Sequence, residues 1–407
     1  MKKLLFTTST LPRFEGDPEP RFVLDLAKSL SDRYHITILA PADPEAKLHE
    51  KNDNITIVRY RYAPMRCMER LAYPGAILPR LKNKPWLWVL VPLLVLGLYR
   101  ALLKLGVHNF DLVHCHWLVP QGMVQAFGFA GRKAPPFIVT SHGGDLTSFK
   151  GRIMRRLFSS VIDRAPCTTV VSHALKLEFE STLACAPVIP MGVNTATFGP
   201  QHAIHGFFNS IAGDKRVILF VGRLAEKKGL DVLLKAMSDP QVRNLDCHLI
   251  IVGQGPQQRD LESLRSNLGL QDKVNFLPPV SHRDLPVIYA SSDIFCAPSV
   301  VAANGDTDGL PTVLLEASAS RIPCITTPVG GIPDFIDNGI NGLLVPPGDI
   351  IALAEVIARL FKNKEERLRL GNEALKSVQA FSWPVIADRF VSIYQSVLSP
   401  DDIDKSR

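Results

Sequence analysis

Several common signatures are missing from this chain of 407 residues. Its seven cysteines (67, 115, 167, 185, 247, 296 and 324) are scattered and odd in number, and no two are spaced as C-x-x-C. That disfavours a disulfide framework or a structural zinc site and suits buried thiols in a reducing compartment. No sequence repeat recurs at a fixed period, which sets solenoids and propellers aside. No G-x-G-x-x-G fingerprint follows the first strand-like run, as a dinucleotide-binding fold would require. The opening residues 1–7 hold only three apolar side chains after a basic pair. That is too short for a signal peptide and suits a first buried strand, so the expected location is cytoplasmic. With 21% charged and 46% hydrophobic residues, neither disorder nor a low-complexity chain fits.

What is present begins with charge. The formal excess is +7. Residues 61–105 hold eight basic side chains (Arg61, Arg66, Arg70, Arg80, Lys82, Lys84, Arg100, Lys104) against one acid, Glu69. This segment therefore carries the whole excess, and the remainder nets to zero. A uniformly basic nucleic-acid binder is excluded, and no nucleic-acid partner is expected. Inside the basic segment, residues 85–99 (PWLWVLVPLLVLGLY) are apolar. A membrane span needs about 20 such residues, and Pro92 would kink a helix here. Two readings stand: a helix lying among lipid headgroups, anchored by Trp86, Trp88 and Tyr99, or a buried helix with basic flanks in water.

Short apolar runs alternate with amphipathic stretches along most of the chain. Strands are expected at 2–7, 35–40, 55–59, 111–115, 137–140, 168–171, 217–221, 247–252, 274–276, 294–297, 323–326 and 343–345. The runs are unalternating and β-branched, so both faces of each sheet should be buried, with helices between strands. The expected fold class is α/β, with two Rossmann-like doubly wound lobes. Residues 190–215, rich in glycine with little periodicity, read as a linker. The expected domains are 1–195 and 215–380, followed by a C-terminal segment, 381–407, whose helix packs back on the first domain.

Four motifs carry chemistry. In Asp308-Gly-Leu-Pro-Thr-Val-Leu-Leu-Glu316, a helix should begin near Pro311, with Asp308 in the loop before it and Glu316 a little over one turn inside. Backbone N–H groups at such a helix start can bind phosphate, and two carboxylates beside it suit sugar hydroxyls. In Gly222-Arg223-Leu-Ala-Glu-Lys-Lys228-Gly229, Arg223 and Lys228 stand at the carboxyl end of a strand, where open α/β sheets bind ligands, and two cations there suit a diphosphate. In Val329-Gly330-Gly331-Ile332-Pro333, adjacent glycines permit close backbone approach to phosphate oxygens, or simply make a turn. In Ser141-His142-Gly143-Gly144-Asp145, His142 follows a strand and is free to face a cleft. His114 and His116 would share one strand face as a candidate metal pair, without a third ligand nearby. Asp306-Thr307-Asp308 reads as D-x-D, a spacing of carboxylates that can hold a metal ion, but it precedes a helix deep in the second lobe.

In this order, the motifs resemble the GT-B retaining glycosyltransferases of family 4 (glycosyl transferases group 1). The resemblance runs from "LPRFEGDPEPRFVLDLA" through "DLVHCHWLVPQG", "SHGGD" and "GRLAEKKGLDVLLKA" to "DGLPTVLLEA" and "VGGIPDFIDNGINGLLVPPGD". It implies an active site in a cleft between the lobes, an acceptor-binding first lobe and a second lobe holding a nucleotide-sugar donor, UDP- or GDP-linked. Arg223 and Lys228 match the family's diphosphate-binding cations. Asp308 matches the first acid of its E-x7-E motif, which contacts the donor sugar, and Glu316 matches the second, which binds ribose hydroxyls. His142 matches the active-site histidine. Gly16 lies in the first-lobe loop approaching donor and acceptor, and Gly330 and Gly331 belong with the donor-binding residues. Two positions depart from the pattern: Asp308 replaces a glutamate, and Glu15-Gly16-Asp17 replaces paired glycines.

The expected activity is retaining, metal-independent transfer of a hexose to a glycan or lipid-linked acceptor, in cell-surface polysaccharide or glycolipid synthesis, with no cofactor and no metal site. Residues 61–105 are the expected contact with an anionic membrane, placing the enzyme at the inner membrane face. Two rivals remain. A dinucleotide-dependent oxidoreductase lacks its fingerprint here. A catalytically degenerate sugar-binding subunit would not need Arg223, Lys228, Glu316 and His142.

Overall fold

The structure is a computed structural model. It describes all residues except 18, 74, 76, 132, 133, 149, 150, 304 and 400–407, and all of their side chains except those of 79, 83 and 148. Positions 400–407 of the expected C-terminal segment thus lie outside the described residues. The chain forms two units, one from Met1–Ile189 together with the chain from Ile386, the other from Pro190–Val385.

The first unit is built on a seven-stranded sheet in the order β3-β4-β2-β1-β5-β6-β7. Its strands are β1 (Lys2–Thr7), β2 (Tyr34–Pro41), β3 (His49–Asn52), β4 (Ile55–Tyr60), β5 (Leu112–His116), β6 (Phe137–Ser141) and β7 (Cys167–Val170). Leu4 lies opposite Ile36 on one side and Leu112 on the other, so β1 is central. Every residue of β5 and β6 is buried, as a strand covered on both faces must be. Only β3 runs antiparallel. Its sequence, His-Glu-Lys-Asn, is almost wholly exposed at the sheet edge, so it carries no hydrophobic signal and escapes the expected strand set. Polar residues on an exposed edge discourage pairing with other chains.

The apolar segment folds as a 3-10 turn, Pro85–Val89, running into a helix, Leu90–Leu105. Together, Pro85–Leu105 is 21 residues with a mean hydropathy of 2.0, long and apolar enough by length and composition to cross a membrane. One stripe of it is buried in the first unit through Leu87, Leu90, Leu94, Leu98 and Leu102. Gly97 lets the helix backbone press against the chain at Arg61, whose carbonyl oxygen would lie 2.8 Å from any Cβ there. The opposite stripe exposes Trp86, Trp88, Val89, Leu96 and Leu103. The segment is therefore buried along one face and apolar on its exposed face as well.

The second unit holds a six-stranded, all-parallel sheet in the order β10-β9-β8-β11-β12-β13. These are β8 (Arg216–Val221), β9 (Cys247–Val252), β10 (Val274–Leu277), β11 (Ile294–Ala297), β12 (Cys324–Thr326) and β13 (Leu343–Leu344). Residues 190–215 are not a free linker, and the unit does not begin at 215. Val193, Phe198, Phe208 and Ala212 are buried in the same core as Val217, Leu219 and Leu233. Glycine content masks this segment's few anchoring side chains. The last described helix, Trp383–Leu398, contributes to the first unit from Ile386 onward, where Tyr394 is buried beside His114.

Because all strands of the second sheet are parallel, the loops leaving β8, β11 and β12 emerge along one edge. Strand order reverses between β8 and β11. That is a topological switch point, where open α/β sheets form a ligand crevice. In the first unit the reversal falls between β1 and β5.

Candidate functional site

Six of the eight expected site residues lie in the second unit, on the three loops at this edge or on the helix that follows the loop after β11. The loop after β8 makes one 3-10 turn, Glu226–Lys228, and reverses at Gly229, whose φ is +62°. A Cβ at Gly229 would sit 2.0 Å from the Pro298 carbonyl oxygen, so the loop after β11 packs directly on it. Val300 N–H donates to the Lys227 carbonyl at 2.9 Å, and Ala303 N–H to Glu226 Oε1 at 2.8 Å. The third loop joins through Gly331 N–H, which donates to the Gly309 carbonyl at 3.1 Å. Gly330 has φ +60°, and a Cβ there would lie 1.8 Å from the Asp308 carbonyl oxygen. The place a Gly330 side chain would take is filled by the chain's own backbone, so Gly330 seats the Asp308 loop.

Charge is concentrated where these loops meet. Lys228 Nζ lies 2.5 Å from Asp308 Oδ2, and Lys227 Nζ lies 3.3 Å from Asp308 Oδ1 and 3.1 Å from Asp306 Oδ2. Burial pushes the Asp308 carboxyl up, but Lys228 and then Lys227 outweigh it and hold the group below its ordinary value. Burial likewise opposes the charge on Lys227, and Asp308 and Asp306 outweigh that in turn. Arg223 is exposed and has no ion-pair partner among the described residues. These loops thus carry three cations, Arg223, Lys227 and Lys228, beside Asp306, Asp308 and Glu226, and the Arg223 guanidinium is left for an incoming anion.

Glu316 sits on the helix Thr312–Ala319, which begins directly after Pro311. It is buried, and Tyr289 Oη donates to its Oε2 at 2.8 Å. His282 Nε2 lies 3.9 Å from the other oxygen. The two oxygens of a carboxylate offer about four acceptor sites, so one oriented in this way can also take a hydroxyl from a polyol. Lys227, Tyr289 and His282 were not singled out from the sequence. The doubled lysine was visible, but Tyr289 and His282 are remote in sequence and carry no local motif.

Gly16 and His142 lie in the first unit. Gly16, at φ +84° with open space around it, belongs to the loop after β1. That loop is held by Arg13, whose guanidinium bonds Asp17 at 2.9 and 3.0 Å and Glu45 at 2.9 Å. His142 follows β6 in a turn pinned by buried Asp145, which accepts from Ser141 Oγ at 2.6 Å and from Leu118 N–H at 2.7 Å. Its ring packs on Phe22 and Trp117, with centroids 4.7 and 4.6 Å apart. Its Nε2 lies 3.1 Å from His116 Nδ1. Burial lowers the His142 pKa to about 3, so the ring is neutral near pH 7. His114 and His116 do not form a metal pair. Both nitrogens of His114 are taken, by Tyr394 Oη at 2.9 Å and Thr140 Oγ1 at 2.7 Å, and His116 faces His142. Among the described residues no group of three or more His, Cys, Asp or Glu is placed to hold a metal.

This architecture is that of the GT-B glycosyltransferases. Sucrose-phosphate synthase from Thermosynechococcus elongatus matches 98% of this chain over 100% of its own, with a TM-score of 0.79 at 22% identity. Anabaena HepE, solved in complex with UDP and glucose, matches 97% of this chain over 100% of its own, with a TM-score of 0.74 at 20% identity. Residues 20–197 match the family model for Glycosyltransferase Family 4, and residues 204–377 the model for Glycosyl transferases group 1. The chain belongs to this group 1/family 4 of GT-B glycosyltransferases and is a transferase. Among its relatives, the phosphatidyl-myo-inositol mannosyltransferase of Mycobacterium leprae is 28% identical over 92% of both chains. The D-inositol 3-phosphate glycosyltransferase of Saccharomonospora viridis is 29% identical over 71% of both.

Proposed function

We propose that the enzyme moves a hexose from a UDP- or GDP-linked donor to a glycan or lipid-linked acceptor in cell-surface polysaccharide or glycolipid synthesis, retaining anomeric configuration and using no metal ion. The observation that carries this reading is the cationic cluster at the β8/β11 switch point, with Arg223 unpaired among the described residues and Lys228 on Asp308. As the glycosidic bond lengthens, negative charge grows on the departing diphosphate, and cations already in place stabilise it most at the transition state. A phosphate oxygen arriving at Lys228 competes with Asp308, freeing that carboxylate to accept a hydroxyl of the sugar. Glu316, oriented by Tyr289, accepts from the ribose. Retention rests on the family resemblance. Metal independence is supported by Lys227 and Lys228, whose two charges already balance both acids of the D-x-D triplet. Lipid-linked acceptors are supported by relatives named for phosphatidylinositol. The test is release of nucleoside diphosphate from UDP- and GDP-hexoses with glycolipid acceptors. The expected rate is unchanged by EDTA. Loss in EDTA that a divalent cation restores overturns metal independence, and silence with every donor overturns the donor assignment.

The same reading places the protein in the cytoplasm against the inner membrane face. Its support is the exposed stripe of Trp86, Trp88, Val89, Leu96 and Leu103 with exposed Lys82, Lys84, Arg100 and Lys104 on the same segment. Each basic side chain reaching an anionic surface adds about 1 kcal/mol, and interfacial tryptophans anchor the apolar part. Binding to anionic vesicles at low salt should weaken about tenfold or more in the Trp86→Ala, Trp88→Ala double variant. Equal affinity for neutral vesicles, or none for either, overturns this surface.

A further inference from the structure

In the first unit, His114, His116 and His142 form a column. The first two rings stack with centroids 4.2 Å apart and the second pair with centroids 5.3 Å apart. The first two histidines are buried within the sheet and His142 is partly exposed at its edge. One hydrogen joins the last two rings, His116 Nδ1 to His142 Nε2 at 3.1 Å. It admits two arrangements of protons, and they predict opposite chemistry for His142.

If His142 donated through Nε2, His116 would carry its own proton on Nε2. That atom is buried and has no hydrogen-bond partner. An N–H buried without an acceptor is the rarer and costlier defect, whereas a bare ring nitrogen is an under-used acceptor. The favoured arrangement therefore places the His116 proton on Nδ1, donating to His142 Nε2. Both rings are neutral, because burial lowers their pKa values well below the ordinary histidine range. His142 must then hold its single proton on Nδ1, a nitrogen with no partner among the described residues.

We infer that His116 is a positioning residue that locks His142 as the Nδ1–H tautomer, making His142 a hydrogen-bond donor to an oxygen of the transferred sugar rather than a proton acceptor. The role toward sugar rests on the proposed function and on the family resemblance, which makes His142 the active-site histidine beside the donor sugar, while the tautomer rests on the histidine geometry alone. No proton is transferred. A neutral donor favours an oxygen that gains negative charge during bond cleavage, and it cannot deprotonate the acceptor hydroxyl through the same nitrogen.

The test separates the two parts. In full-length protein labelled with 15N-histidine, the His142 ring, assigned by loss of its signals in His142→Asn, should show a protonated Nδ1 and a bare Nε2. The reverse pattern, or a doubly protonated ring at pH 7, overturns the tautomer assignment. For activity, His116→Asn places an amide N–H near the position of Nδ1 and should keep turnover within about fivefold. His116→Phe keeps the ring stack but offers no donor, and should lower kcat about thirtyfold or more with little change in donor KM. Equal kcat in the two variants, both folded by thermal melting, overturns the positioning role. If instead His142→Ala turns over normally while the wild-type tautomer is as stated, it is the sugar-contacting role of His142 that fails.

Discussion

Lys228→Ala should lower kcat by about two to three orders of magnitude, the usual cost of removing one preorganised group from a developing charge. The fold should survive the change. Asp308, which loses its 2.5 Å partner, still has Lys227 at 3.3 Å, so no buried carboxylate is left wholly uncompensated. Melting temperature should therefore shift by only a few degrees while turnover collapses. Lys228→Arg is a sharper probe, since it keeps the charge but replaces a compact ammonium by a planar fork that must fit between Asp308 and the β8 loop. Partial recovery is expected there. The comparison that decides the matter is Lys227→Ala, which removes the contacts to both Asp306 and Asp308 but leaves Lys228 on Asp308. It should loosen the loops and weaken donor binding more than it lowers kcat. If Lys228→Ala turns over within threefold of the parent, the lysine serves only as a counter-ion for Asp308, and the diphosphate must be held elsewhere.

The strand ladder was legible because buried parallel strands must be continuously apolar. Lys2–Thr7, Cys247–Val252 and Ile294–Ala297 fall where their sequences place them. The segment β3 was not legible, because an exposed antiparallel edge needs no apolar residues at all. Residues 190–215 misled for the opposite reason: a few well-separated anchors such as Phe198 and Phe208 suffice to bury an irregular segment. In the site, sequence order put Arg223 and Lys228 at a strand end and Asp308 in the loop before a helix, and the parallel sheet then brought those loops to one edge. What it could not convey was pairing at long range. Tyr289 on Glu316 and His116 on His142 are tertiary contacts with no periodicity behind them. The pair His114 and His116 was visible as two histidines on one strand face, but only their partners distinguish a hydrogen-bonded column from a metal site.

Gly330→Ala should unfold or disorder the donor side of the second unit, through close packing rather than through any phosphate contact. Two costs are superposed at this position. The φ of +60° disfavours any L-residue by about 1–2 kcal/mol. The added Cβ would also stand 1.8 Å from the Asp308 carbonyl oxygen, far inside contact distance, and backbone cannot swing aside as a flexible side chain can. Together these should reach about 3–5 kcal/mol, in the range of a severe single substitution, or roughly 10 °C in Tm for a unit of this size. Gly339 separates the two costs, because its φ is +80° but nothing lies within 4 Å of its would-be Cβ. Gly339→Ala should suffer only the conformational part and keep donor affinity. Asparagine tolerates the left-handed region better than alanine, yet it carries the same Cβ. Gly330→Asn should therefore fail nearly as badly as Gly330→Ala, whereas Gly339→Asn should be almost silent. If Gly330→Asn restores both stability and donor binding, dihedral strain is the whole effect and the close approach to Asp308 is not a constraint. If it does not, the glycine acts by letting one loop seat the acid on the next, and the two lysines reach Asp308 only because Gly330 has no side chain.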